Sequence, residues 1–246
     1  MQTLLRFDDL QARLENDRNG YADGKPFPHI VLDDFLTPEA LAAATQEFPR
    51  PDAINDWRRA DAFDDQGRLA QRLKLGYSNE LAFGSTLRSL VHELNSGPFL
   101  RYLERLTGIP YLLPDAQLIG GGLHQYLPGA ILRVHADFNR LPGYDLDRRL
   151  NLLLYLNPVW KLEWGGALEL WDRDMQAYAA SILPLTNRCV VFSTTATSYH
   201  GMPDPLSCPE GVTRRSLALY YYSNGRPENE QLPDHSTLWQ TRPNET

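Results

Sequence analysis

A change of hydrophobic period part-way along the chain limits its folding choices more than any other feature. Up to about Leu112 apolar residues recur at helical spacing. Beyond it they come in short β-branched and aromatic runs, punctuated by Gly, Pro and Asn. In the first part, Leu4, Leu5, Phe7, Leu10 and Leu14 form one apolar stripe, followed by a β-rich run at 27–32. Thr37-Pro38-Glu39 reads as a helix start, with a capping hydroxyl, a proline at the first helical position and an acid in the first turn, and Leu41, Ala44 and Phe48 follow as its buried side. Leu87, Leu90, Val91 and Leu94 predict a further helix, which Gly97-Pro98 separates from one carried by Phe99, Tyr102, Leu103 and Leu106. Residues 55–80 are polar and irregular, and read as a mobile loop with room for one short strand. After Leu112, runs at 117–126, 131–136, 150–156, 167–171, 180–183, 188–192 and 216–222 predict an antiparallel sandwich or barrel. The expected architecture is mainly β (α+β), one domain over 1–246. It comprises a helical flank at 1–111 with a lid-like loop at 55–80, a strand-rich core at 112–223 and a polar C-terminal tail at 224–246.

Composition narrows the function classes. The net charge is −7 and no Lys/Arg tract is present, so nucleic-acid binding is not expected. No apolar run reaches the roughly 18–20 residues a spanning helix needs, so no membrane partner is expected. The first twenty residues lack a basic start followed by an apolar block, which predicts a cytoplasmic protein. Two cysteines, Cys189 and Cys208, are too few for a disulfide framework and read as reduced thiols. Oligomeric state is not legible.

Chemistry enters at His135-Ala136-Asp137, which ends an apolar run. At a strand's period of two, His135 and Asp137 share a face. His200, in the string SYHGMP after a later strand, is the natural third member. Two imidazoles and one carboxylate with open positions form the ligand set of non-haem Fe(II) oxygen chemistry. In RRSLALYYY at 214–222, Arg214, Ser216, Ala218 and Tyr220 share one face, and Arg215, Leu217, Leu219 and Tyr221 the other. A guanidinium among small residues suits bidentate capture of a carboxylate.

Taken in order, HAD at 135–137, RRLNLLLYLNPVW at 148–160, EWGGALELWD at 163–172, SYHG at 198–201 and RRSLALYYY make residues 112–223 resemble the Fe(II)/2-oxoglutarate-dependent dioxygenases, in particular the prolyl-hydroxylase-like branch. The run FPHIVLDDFL at 27–36 is similar to that branch's usual entry. The resemblance implies a double-stranded β-helix, or jelly roll, with the N-terminal helices packed on it. It implies Fe(II) on His135, Asp137 and His200, and 2-oxoglutarate held by Arg214, Ser216 and Tyr155. Asn151, on the face of Tyr155, and Tyr126 are further cosubstrate contacts. Asn139, Trp171 and Asp172 are candidate substrate contacts. Expected cofactors are Fe(II), 2-oxoglutarate and O2, with ascorbate as reductant. The reaction it implies is hydroxylation of an unactivated C–H bond, with succinate and CO2 as coproducts, on a small-molecule or peptide substrate of amino-acid type. Asp137 favours hydroxylation over halogenation, because related halogenases carry a small residue at that position.

Two other classes compete. A catalytically silent jelly-roll module holding a metal or sugar would not need Arg214, Ser216, Tyr155 and Asn151 together. A cupin-type isomerase would need only a His/Asp pair for proton transfer. Ordinary readings cover the remainder: His124 as a structural histidine, Trp160, Trp164 and also Trp171 as packing aromatics, and Arg148-Arg149 as a solvated pair or a contact to an acidic substrate.

Overall fold

The computed structural model describes residues 3–59 and 61–243. Four helices, α1 (Phe7–Asp23), α2 (Pro38–Glu47), α3 (Ser85–Leu94) and α4 (Gly97–Thr107), stand in the first half of the chain. The helix start read at Thr37 is realised, its Oγ1 accepting from the Ala40 N–H at 3.3 Å. α4 buries Phe99, Tyr102, Leu103 and Leu106, one face at the spacing i, i+3, i+4, i+7.

The strands are β1 (His29–Leu32), β2 (Arg58–Arg59), β3 (Ala62–Phe63), β4 (Leu69–Tyr77), β5 (Leu113–Pro114), β6 (Gly122–Ala136), β7 (Asp147–Tyr155), β8 (Leu168–Trp171), β9 (Tyr178–Ile182), β10 (Cys189–Ser193), β11 (His200–Met202), β12 (Arg214–Ser223) and β13 (Leu238–Trp239). Eight of them join antiparallel in the order β1-β10-β7-β12-β6-β11-β8-β9, and the others pair with β4, β6 or β12, in a sheet curled into the half-barrel of a jelly roll. β6 makes the curl possible. Its first half pairs with β12 and its second half with β11, and Gly129, at φ +77°, lies between them.

Strand alternation then sorts the side chains. Leu217, Leu219 and Tyr221 of β12, Leu150, Leu152 and Leu154 of β7, and Cys189 and Val191 of β10 join the helices in one apolar core. Their alternates, Asn151 and Tyr155, Phe192, and Arg214, Ser216 and Tyr220, turn to the concave side.

Two segments depart from the sequence reading. Residues 55–80 are not an irregular loop: β4 pairs with β6 from Gln71↔Leu132 to Tyr77↔Leu123, and β2 and β3 pair with β4 in turn. Polar side chains suit this strand because it lies on the rim, where one face is wet. The C-terminal stretch is not merely a polar tail either. β13 adds to β6 through Leu238↔Ala136 and Trp239↔His135, and Arg68 Nη2 donates to Thr241 Oγ1 at 2.8 Å. Two residues of strand are too few to leave a period in the sequence.

Candidate metal centre and cosubstrate pocket

β6 carries His135 and β11 carries His200, and the two are direct cross-strand partners with ring centroids 4.5 Å apart. Asp137 follows β6, its Oδ1 3.6 Å from His135 Nε2 and its Oδ2 3.5 Å from His200 Nε2. One ligand atom from each of the three residues lies within 4.8 Å of the others. Each imidazole donates its Nδ1 proton to a backbone carbonyl, His135 to Arg133 at 2.8 Å and His200 to Ser198 at 2.9 Å. That fixes the tautomer, leaving both Nε2 lone pairs for a cation. Burial, with the His135 ring next to it, lowers His200 to about 4, so it stays neutral at physiological pH. Burial alone would raise Asp137, but Arg148 and the two imidazoles outweigh it and hold the carboxyl well below the usual range.

The Asp137 carboxylate is itself held. Asn151 Nδ2 donates to Oδ2 at 2.7 Å, Arg148 Nη2 stands 3.1 Å from the same oxygen, and Arg148 also donates twice to Asn151 Oδ1. Arg148 is 1% exposed and stacks on Tyr220, its Cζ 3.5 Å from the ring centroid. It is therefore not half of a solvated pair. Its neighbour Arg149 is also buried, bonded to Ser223 Oγ and Glu230.

These groups line a cavity of about 290 Å³ together with Arg214, Ser216 and Tyr126. Arg214 is buried, donates Nε–H to the Gly166 carbonyl at 2.8 Å and Nη2–H to Tyr155 Oη at 3.1 Å, and lies over the Tyr126 ring. Among the described residues no carboxylate pairs with it. A buried, oriented guanidinium without an anion is a site for one. Arg215 lies on the opposite face, with its Cζ 5.5 Å from the centre of the Phe48 ring.

The string WGG has a local reason. Gly166 sits at φ +74°, and a Cβ there would come 2.5 Å from Leu206 Cδ2 and 3.3 Å from Arg214 Cδ. Only glycine lets this carbonyl reach Arg214.

Tyr155 is fully buried and holds Arg214. Asn151 lines the cavity but spends its amide on Asp137 and Arg148. Three candidates lie elsewhere. Asn139 donates to the Pro233 carbonyl and accepts from His235 N–H, tying down the C-terminal segment. Trp171 alternates away from Leu168 and Leu170, bonding its indole N–H to Glu169 on the outer face. Asp172 closes its own turn by accepting from Gln176 N–H and Ala177 N–H. His124 is neutral, since burial and then Lys74 push it well below its usual value, and it bonds to the Gly120 carbonyl while lining the cavity. Trp239, Lys74 and Arg58 also line it and were not singled out in the sequence. The Trp239 ring lies 5.0 Å from that of His135.

Residues 121–222 match the family described as the 2OG-Fe(II) oxygenase superfamily. Over that stretch, which includes His135, Asp137, His200 and Arg214, the chain is similar to 2OG-Fe(II) oxygenases. The chain is 29% identical over 235 residues to prolyl 3-hydroxylase OGFOD1 of Mus musculus, covering 89% of this chain and 39% of that protein, so it spans about two-fifths of the relative's length. In fold, the chain resembles the prolyl hydroxylase of Trichoplax adhaerens, solved in complex with a hypoxia inducible factor oxygen degradation domain peptide fragment. The TM-score is 0.62 at 14% identity, covering 91% of this chain and 94% of that one. It also resembles a Pseudomonas putida prolyl-4-hydroxylase, with a TM-score of 0.58 at 18% identity, covering 86% and 100%. No helix among the described residues is long and apolar enough to cross a membrane.

Proposed function

We propose that this chain is an Fe(II)/2-oxoglutarate-dependent hydroxylase acting on a prolyl or similar amino-acid-like substrate, free or within a peptide. The observation that carries this reading is one cavity that contains both the His135–Asp137–His200 triad and an unneutralised Arg214. The triad fits a divalent ion: two imidazole nitrogens and a carboxylate oxygen converge, with both imidazole tautomers set by backbone carbonyls. When bound there with 2-oxoglutarate, iron supplies the oxygen activation that an unactivated C–H bond requires.

The protein's part is geometry. Arg214, fixed by Gly166 and Tyr155, holds the distal carboxylate of the cosubstrate, with Ser216 beside it on the same strand. Asn151 and Arg148 keep Asp137 ionised and pointed at the metal. Leu168, Phe192, Met202 and Trp239 give the cavity its apolar walls, which limit water near the reacting bond. A silent binding module would have no use for the oriented Arg214, and a cupin-type isomerase none for His200. The likeness to prolyl 3-hydroxylase OGFOD1 and to two prolyl hydroxylase structures supports a prolyl-type target.

The test is turnover. Protein loaded with Fe(II) and 2-oxoglutarate is offered proline-containing peptides, free proline and other amino acids, and succinate is quantified alongside product mass. Succinate formed together with one added oxygen, and abolished in His200→Ala, supports the reading. Iron and 2-oxoglutarate binding without succinate from any of these substrates would favour the silent module.

A further inference from the structure

The cavity carries more positive charge than iron and 2-oxoglutarate account for. Arg58, Lys74, Arg148 and Arg214 all line it, and Asp137 is the one lining carboxylate among the described residues. This excess arises in a chain whose net charge is −7, so it is local and not compositional. Arg148 is taken by Asp137 and Asn151, and Arg214 by Gly166, Tyr155 and the proposed cosubstrate carboxylate. Iron(II) and 2-oxoglutarate carry equal and opposite charges, so loading the site leaves the excess in place. Lys74 and Arg58 remain without a carboxylate or a hydrogen-bond acceptor among the described residues.

Their positions follow from two successive rows on one face of the sheet. Lys74 pairs with Tyr126, which pairs with Arg214, and Lys74 Nζ lies 5.7 Å from the centre of the Tyr126 ring. One row along, Arg58 pairs with Gly76, Gly76 with His124, and His124 with Ser216. The Arg58 guanidinium lies beside Gly76: a Cβ there would be in ordinary van der Waals contact with it, 3.7 Å from Nη2. Lys74 is partly buried and Arg58 exposed, so the pair leads from the iron pocket to its rim. Both also line a smaller adjoining cavity of about 190 Å³ with Gln71 and Gly76. Burial draws the Lys74 ammonium below its usual pKa, as expected of a cation held out of water without a partner. Such a group costs stability unless a ligand completes it.

Resting on the oxygenase reading for the identity of the pocket, we infer that Lys74 and Arg58 form a subsite for a carboxylate on the substrate. The substrate is then an acidic amino-acid-like molecule, its carboxylate being either the side chain of a Glu or Asp beside the target residue or the α-carboxylate of a free or terminal one. Arg214, two strands in from β4, serves the cosubstrate; Lys74 and Arg58, on the rim strands, meet what enters afterwards.

The experiment is anaerobic calorimetry on the full chain, with and without Fe(II) and 2-oxoglutarate. The probes are a blocked Ala-Glu-Pro-Ala peptide against its Gln counterpart, and N-acetylproline against N-acetylprolinamide. The expected result is a preference for one acidic member over its neutral partner of about tenfold or more, the size of a charge-assisted hydrogen bond. That preference should shrink with added salt and be lost in both Lys74→Gln and Arg58→Gln. Which pair shows it identifies the source of the carboxylate. Thermal melts of both variants serve as the folding control, and Lys74→Gln is expected to melt no lower than the parent protein.

Equal or undetectable binding within both pairs overturns the inference. So does a preference that survives both substitutions, and so does a loss confined to 2-oxoglutarate affinity, which would assign the two cations to the cosubstrate. A charge preference that depends on Lys74 and Arg58 in protein that fails to bind iron and 2-oxoglutarate together would uphold the subsite while removing the oxygenase reading.

Discussion

Arg148 Nη2 stands 3.1 Å from Asp137 Oδ2, although Asn151, which holds the same oxygen, lies three positions along and an uninterrupted strand would turn the two to opposite faces. The ladder between β7 and β12 explains the contact. Tyr221 pairs with Leu150, but Tyr222 pairs with Arg148, so Arg149 is an extra residue that resets the alternation. The bulge re-aims Arg148 into the concave face beside Asn151. Replacing Arg148 by Met leaves Asp137 buried without its cation and is expected to cost about 3–5 kcal/mol in chemical unfolding of the metal-free protein. Replacing Asn151 by Ala keeps the ion pair, and the expected effect is on the metal: about 10–100-fold weaker iron binding in a competition titration.

The grip on Arg214 yields a graded series. Tyr155→Phe removes one hydrogen bond to the guanidinium and should raise the half-saturating 2-oxoglutarate concentration by about tenfold. Gly166→Ala forces an L side chain to φ +74° against Leu206 and Arg214. It should lose on the order of 1–3 kcal/mol of stability as well as cosubstrate affinity. An affinity unchanged in both variants would show that Arg214 needs no positioning.

Trp239 reports on the metal. Its ring lies 5.0 Å from the His135 ring, and it is one of five tryptophans. Adding Co(II) to the metal-free protein should quench part of the tryptophan emission, and Trp239→Phe should remove most of that quench while metal still binds. A full quench persisting in Trp239→Phe would mean that β13 does not stand over the site in solution.

Acid should unfold the metal-free protein through the triad. His200 falls to about 4 in the folded state against an ordinary 6.5, chiefly through burial. The unfolded chain then binds more protons between those values, so this stability is complete above pH 6.5 and is lost as pH drops toward 4. The difference between the parent protein and His200→Gln should amount to on the order of 2–3 kcal/mol across that window in denaturant titrations. Parallel pH dependences for the two proteins would contradict it.

Much of this organisation can be read from the sequence, for identifiable reasons. The alternation of 214–221 survives folding because that stretch is a strand with one face in the helical core, and His135 and Asp137 converge because β6 runs up to Ala136 with His135 paired to His200. Arg148 escapes because a bulge reverses its parity, and Lys74 because Leu73, at φ +55°, breaks the register between β4 and β6. Trp239 escapes because its strand is two residues long and gains its meaning only from pairing with β6. Asn139, Trp171 and Asp172 sit within or next to the motifs, yet Asn139 spends its amide on the C-terminal segment, Trp171 its indole N–H on Glu169 and Asp172 its carboxylate on its own turn.

The central claim is that one cavity holds iron on His135, Asp137 and His200 and 2-oxoglutarate on Arg214. Its most direct test is an anaerobic absorption difference spectrum of the apo-protein, with Fe(II) added and then 2-oxoglutarate. The expected result is a visible band that needs both additions, vanishes in His135→Ala, and in Arg214→Ala requires far more 2-oxoglutarate to form. No band from folded, iron-loaded protein, or a band indifferent to both substitutions, would contradict the account.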